Sequence, residues 1–249
     1  NSNCIFSITA STGVTVSGTL TNNSGSAGLV LKSTAAGTGS LIHSTAGVSG
    51  TVERYITGGI NTSNFAHLLS SPVSDQNIGT FLAGVAAMVY HDPSDGTMKP
   101  MSAGVPSTNF LPGRGYFARR GSNGVVNFAG SLNISPVSFS LVNNGFNFGW
   151  NCVGNPFSSS LSLTDFLSTN VSVLNPSYAN CYVYVKGGNP LYQPKGSGNY
   201  FQPGQGFFIK SGSAGSLSFT SAMQVHQNPS FFKKSGSEPF KMISLHEKA

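Results

Sequence analysis

The chain has 249 residues, of which only 8% are charged: 13 Lys plus Arg against 7 Asp plus Glu, where a soluble domain usually carries about 25%. The net charge of +6 therefore reflects missing acids, and so few dispersed cations do not make the clustered patch that counterion release from nucleic acid requires. A charge-dense disordered tail and a coiled coil are excluded on the same count.

With ions scarce, Ser, Thr, Asn and 31 Gly must wet the surface, while 39% hydrophobic residues with 18 Phe and 8 Tyr suffice for a sizeable core. No window approaches the roughly 18 to 20 apolar residues of a membrane span; the best, residues 81–90, is short and holds Gly84. No basic-then-apolar leader opens the chain, which begins in mid-pattern as a trimmed or mature product would. Cys4, Cys152 and Cys181 make neither a disulfide framework nor a metal site. Cys152 and Cys181 sit in apolar runs, as buried free thiols do; one bridge plus a free thiol is the alternative. No cofactor is expected.

Helical periodicity is nearly absent, and short β-branched or aromatic runs bounded by Gly, Asn and Pro recur throughout. In residues 1–57, runs at Val14, Leu29, Leu41 and Val52 read as short strands, the last three spaced by about 11 to 12 residues. That spacing suits coils of a β-helix-like ribbon, and a series of hairpins is the alternative. Residues 58–228 are expected to form an antiparallel β-sandwich of two related units, about 58–136 and 137–228.

Four matches support this duplication. Phe65 to Pro72 lies over Phe148 to Pro156, and Ile78 to Gly84 over Leu163 to Thr169. Ala87-Met-Val-Tyr90 with Lys99-Pro100 lies over Cys181-Tyr-Val-Tyr184 with Gln193-Pro194. Pro112-Gly-Arg-Gly115 through Phe128 overlays Pro203-Gly-Gln-Gly206 through Phe219 without a gap. Pro-Gly-x-Gly is turn chemistry, with Pro setting φ and Gly supplying positive φ or close approach. Only the stretches near Thr80 and Thr164 look helical, with Thr as N-cap. Trp150, the single tryptophan, is expected in the core. Residues 229–249 read as a linker followed by the first strand of another domain.

Gly149-Trp-Asn-Cys-Val-Gly-Asn-Pro156, Pro203-Gly-Gln-Gly-Phe-Phe208, Glu53-Arg-Tyr-Ile56 and Leu68-Leu-Ser-Ser-Pro-Val73 resemble blocks of the large secreted and cell-surface proteins of Bacteroidetes bacteria. The likeness spans residues 10 to 228, with Cys152 where that pattern has Leu. It implies a β-rich module, surface display or release, and export by the type IX route through a C-terminal sorting domain that this chain lacks. It brings no catalytic residues.

Candidate sites are few. Among the seven acids only Asp92 and Asp95 are close, inside His91-Asp-Pro-Ser-Asp-Gly96. That is a turn by composition, and two carboxylates fall short of the six to eight oxygens calcium takes. His43, His67, His91, His226 and His246 show no metal-binding spacing, and no nucleophile elbow occurs. Arg119-Arg120 and Lys233-Lys234 read as charged strand edges that discourage pairing. Tyr116, Tyr192 and Tyr200 lie in or beside turns, where an exposed ring can stack on a sugar. The sequence thus reads as a non-catalytic extracellular structural or adhesion module of a larger protein, not an enzyme. Its partners would be neighbouring domains, glycans or other surface proteins. A carbohydrate-binding module is the first alternative, and an appendage of a secreted hydrolase the second.

Overall fold

The computed structural model describes residues 4–59, 67–145, 149–185 and 191–227. The linker and strand expected over 229–249, with Lys233, Lys234 and His246, lie outside the described residues, as do Phe65 and Phe148. Strands make up 46% of the structure and helices 10%, so the fold is all-β.

Near the N-terminus the chain pairs in parallel. Phe6–Ile8 lies beside Leu29–Leu31, which lies beside Ser49–Ile56, and Gly13–Thr15 lies beside Ser40–Ile42. The 11-to-12-residue spacing alternates between two ladders. Leu31 meets Val52 on one, Leu41 meets Val14 on the other, and each parallel partner is about two spacings away. Parallel strands need cover on both faces, and Leu29, Val30 and Leu31 are all buried. One small antiparallel pair, Ser33–Thr34 with Gly37–Thr38, interrupts the ribbon. Ser49–Ile56 then pairs antiparallel with Gly124–Ser131 along its whole length. The ribbon is therefore continuous with a sheet of the first repeat, across the residue-57 boundary.

Both repeats carry the same four-stranded antiparallel sheet. In the first the order is 97–100, 87–92, 115–119, 67–70; in the second it is 192–195, 181–184, 206–210, 150–154. Each repeat adds a helix, Ile78–Leu82 or Leu163–Thr169. Each also adds a second antiparallel pair, Ser49–Ile56 with Gly124–Ser131 or Val137–Leu141 with Gly215–Phe219. Four aromatic side chains occupy equivalent places in the core of each repeat, and the second repeat adds Phe157, 6.5 Å from Phe219. Phe81 stacks on Phe128 at 4.6 Å and Phe110 meets Tyr116 edge-on at 4.9 Å. Their counterparts are Phe166 with Phe219 at 5.3 Å and Phe201 with Phe207 at 4.6 Å.

Three details differ from the sequence reading. Phe117 pairs with Val89, whereas its counterpart Phe208 pairs with Tyr182. Val89 thus corresponds to Tyr182, one residue off the sequence overlay, and such a slip exchanges inward and outward faces. The helix caps are Asn77, whose Oδ1 accepts from the Thr80 amide at 2.9 Å, and Ser162, whose Oγ accepts from the Asp165 amide. Thr80 and Thr164 lie inside the first turn. Asn77→Ala is expected to cost about 1 kcal/mol, read as a lower denaturation midpoint at unchanged slope. Finally, each repeat encloses its own core, and a third cluster of Leu68, Phe117, Cys152 and Phe208 joins the two four-stranded sheets face to face.

That junction is a pseudo-two-fold built from the Pro-Gly-x-Gly turns. The Gly154 amide donates to the Gly113 carbonyl at 3.0 Å, and the equivalent Ser70 amide donates to the Gly204 carbonyl at 2.9 Å. Arg114 bridges Val153 as Gln205 bridges Leu69. Gly113 and Gly204 have φ of 79° and 65°, the turn conformation expected of them. Arg54, of the Glu53-Arg-Tyr-Ile56 block, is buried and donates through Nη1 to Gln202 Oε1 at 3.3 Å and the Pro203 carbonyl at 3.4 Å. Burial pulls its pKa down to about 9. Phe139 holds the corresponding place in the second repeat.

Candidate binding cleft

A cleft of about 780 Å³ opens where the first repeat meets the strand Val137–Leu141 of the second. One wall is the end of strand Ala87–Asp92 with its turn; another is the loop through Pro106, Leu111, Pro112 and Arg114; the third is Pro136 to Ser140. The lining is mainly apolar and rich in proline, with Arg114, His91 and Asp92 among its polar residues.

Arg114 is held in place from three sides. Its Nη2 donates to the His91 carbonyl at 3.3 Å, and its guanidinium sits 4.9 Å from the Tyr90 ring centre and 5.8 Å from that of Tyr116. Planar cations over aromatic faces gain from the ring quadrupole. His91 is 2% exposed and packs edge-on against Phe208 at 5.3 Å. Neither ring nitrogen has a hydrogen-bond partner among the described residues. Burial drives its pKa down to about 4, against Asp92 and Asp95, which raise it, and with Arg114, which lowers it further.

The two clustered carboxylates are already engaged. Lys99 Nζ lies 2.5 Å from Asp92 Oδ2 and 2.8 Å from Asp95 Oδ2. Asp92 Oδ1 also accepts from the Ser94 amide and hydroxyl, and Asp95 Oδ1 from those of Thr97. Hydrogen bonds from Lys99 and Thr97 hold Asp95 below the usual carboxylate range. For Asp92 burial pushes upward, but hydrogen bonds from Lys99 and Ser94 outweigh it and the net shift is downward. This is a closed turn whose acids serve Lys99, not a raised-pKa acid paired with a base. Exposed ion pairs of this kind contribute little. Lys99→Met is expected to leave the thermal midpoint near wild type at physiological salt.

The cysteines are free: Cys4 is exposed, while Cys152 and Cys181 are buried. Burial pushes both buried thiols well above their ordinary pKa, so neither is an activated nucleophile. Among the described residues no cluster of three or more His, Cys, Asp or Glu side chains is placed to hold a metal.

The three tyrosines singled out in sequence are not brought together. Tyr116 is fully buried in the first repeat's core, where its hydroxyl accepts from the Leu111 amide at 3.1 Å. The expectation of an exposed ring fails there because alternation along Gly115–Arg119 turns it inward, opposite Leu69. Tyr192 is half-buried at the repeat junction, edge-on to Phe208 at 5.4 Å and Tyr184 at 5.6 Å. Tyr200 is half-buried on Tyr200–Phe201, paired with Leu161–Ser162.

Sequence reasoning missed a different aromatic group. Trp150 is only half-buried and meets Tyr182 edge-on at 5.0 Å and Tyr178 at 5.6 Å. Lys210 Nζ sits 4.2 Å from the Tyr178 ring centre. Within the second repeat, strand pairing sets Trp150 opposite Lys210, a placement no spacing along the sequence signals. Trp150 meets the two tyrosine rings at steep angles of 75° and 85°, and these are tilted 49° to each other, so the three pack together and do not form a flat row. No protein-family model, no curated protein and no solved structure matches the chain.

Proposed function

We propose that this chain is a non-catalytic structural or adhesion module of a larger extracellular or cell-surface protein, of the secreted Bacteroidetes class its motifs resemble. One observation carries the reading: each repeat's Pro-Gly-x-Gly turn is hydrogen-bonded to an edge strand of the other repeat's four-stranded sheet. The repeated turn blocks of the sequence thereby join two sandwiches into one mechanical unit. Buried amides and hydroxyls reinforce it without charge. Asn155 Nδ2 donates to the Ser159 and Gln202 carbonyls, and Asn170 Nδ2 to those of Phe166 and Ser218. Satisfied buried networks of this kind specify one arrangement, and neutral groups keep it insensitive to salt.

Pulling the chain from its ends in a single-molecule force experiment tests the reading. Both repeats are expected to yield in one event. Two separate events, or turnover of a polysaccharide or ester in a broad substrate panel, would overturn it. Saturable binding on a glycan array that is lost on Tyr192→Ala or Tyr200→Ala would favour the carbohydrate-binding alternative.

A further inference from the structure

The duplication shows what belongs on a strand edge that the second repeat leaves open. In the first repeat, strand Ser49–Ile56 pairs on one side with Gly124–Ser131 and on the other, in parallel, with Leu29–Leu31. In the second repeat, the equivalent strand Val137–Leu141 pairs with Gly215–Phe219 and, among the described residues, with no strand on its other side. Tyr55 marks the direction of that edge. Its amide points away from Gly124–Ser131 and donates to Ser33 Oγ at 3.0 Å. Ser140 is the counterpart of Tyr55, and the two-residue period of a strand gives Ser138 and Ser140 the outward amides. The edge borders the cleft, beside Leu111, which is 42% exposed.

The complementary edge is at the other end of the same chain. Among the described residues, Phe6–Ile8 is the outermost strand of the parallel ribbon and is paired on one side. It carries Phe6 at 56% exposure and follows Ile5 at 63%, two of the most exposed large apolar side chains described. Open, apolar strand edges recruit further strands.

We infer that the cleft edge at Val137–Leu141 is a docking site for the Phe6–Ile8 strand of a second copy of this chain, joining copies head to tail. The incoming strand takes the place that Leu29–Leu31 holds in the first repeat. Pro136 stands where Thr51 pairs in the first repeat and has no amide hydrogen to give. The strand therefore engages Ser138 and Ser140, one step further along. Because the donor and acceptor patches differ, the contact is heterologous and propagates past the dimer, into a ring or an open chain. Added salt strengthens it, since each copy carries a net charge of +6 and screening reduces their repulsion. The inference rests on strand edges and not on the proposed module function: a chain that polymerises and also binds glycans leaves it standing.

Sedimentation velocity on the full chain, from micromolar to millimolar, tests it. The wild type is expected to grow past the dimer as concentration rises. Phe6→Asp and Leu111→Asp each change an exposed side chain, and each alone is expected to weaken association by roughly tenfold or more. Mixed one to one, they retain one good strand and one good cleft between them, so they are expected to form a heterodimer that grows no further. Ser140→Pro, which removes an outward amide, is expected to act like Leu111→Asp, with circular dichroism confirming the fold. A wild type that stays monomeric throughout, a species that stops at a symmetric dimer, or a variant mixture with no heterodimer would overturn the proposal.

Discussion

Replacing Gly115 by alanine is expected to destabilise the protein by about 3 kcal/mol, at the upper end of what an overpacked methyl group costs. A Cβ at Gly115 falls 2.5 Å from the Val153 carbonyl oxygen and 2.6 Å from Cys152 Sγ. Neither neighbour is the loose end of a flexible side chain. Val153 is held by its pairing with Phe207, and Cys152 by its pairing with Phe208. The methyl group can be accommodated only by separating the two repeats, which strains the Gly154-to-Gly113 hydrogen bond beside it. The pseudo-two-fold supplies a second test. At Gly206 the added carbon falls 2.9 Å from the Leu69 carbonyl oxygen and 3.0 Å from the Leu68 carbonyl carbon. Gly206→Ala should therefore be destabilising too, and the double variant less than the sum, because one junction is lost only once. Gly18→Ala, where a Cβ meets nothing within 4 Å, is the control and should change stability by no more than about 0.5 kcal/mol. Urea titrations of the wild type and the four variants decide it. Wild-type stability in Gly115→Ala would mean that the junction yields more readily than its backbone contacts imply.

Acidification is expected to remove a further large share of stability through a single histidine. The folded-state pKa of His91 is held at about 4 against an ordinary 6.5. Between those values the unfolded chain binds a proton that the folded chain refuses, so stability rises with pH across the window and is lost as pH falls from 6.5 to 4. The depression corresponds to about 3 kcal/mol once protonation is complete in both states. The cause is packing: a 2% exposed ring set edge-on to Phe208, with Arg114 nearby. His91→Leu is expected to flatten the dependence between pH 7 and 4, while leaving stability at pH 7 close to wild type. His43 and His226 are also lowered by burial and leave a smaller residual slope. Urea midpoints across this pH range read the effect. An unchanged slope in His91→Leu would show that another group carries it.

Much of the architecture was legible in the sequence because repetition is a pattern that survives without coordinates. The ungapped overlay of residues 112–128 on 203–219 predicted two matching turn-and-strand units, and both have them. The helix positions were also legible, but their caps were not, since Asn77 and Ser162 act from outside the apolar pattern. The overlay of 87–90 on 181–184 failed by one residue. Short runs of Met, Val, Cys and Tyr look alike in either register, and only the neighbouring strand decides which face is inward. Tyr116 and Trp150 were exchanged for the same reason: the tyrosine faces the core, and the tryptophan is half-exposed at the repeat junction. The cleft itself was invisible, because Arg114, His91 and Val137 come together only when the second repeat folds against the first.

By itself the sequence determined that this protein is β-rich, duplicated and held together with few charges, because composition, alternation and turn chemistry are local properties. Only the tertiary structure decided that the Pro-Gly-x-Gly turns clasp the opposite repeat and not their own. It also decided that the two clustered aspartates are consumed by Lys99, and that one strand edge is covered while its twin has no strand beside it among the described residues. Those outcomes depend on which surfaces meet across long stretches of chain. A spacing along the sequence records how the strands repeat, but not which of them become neighbours.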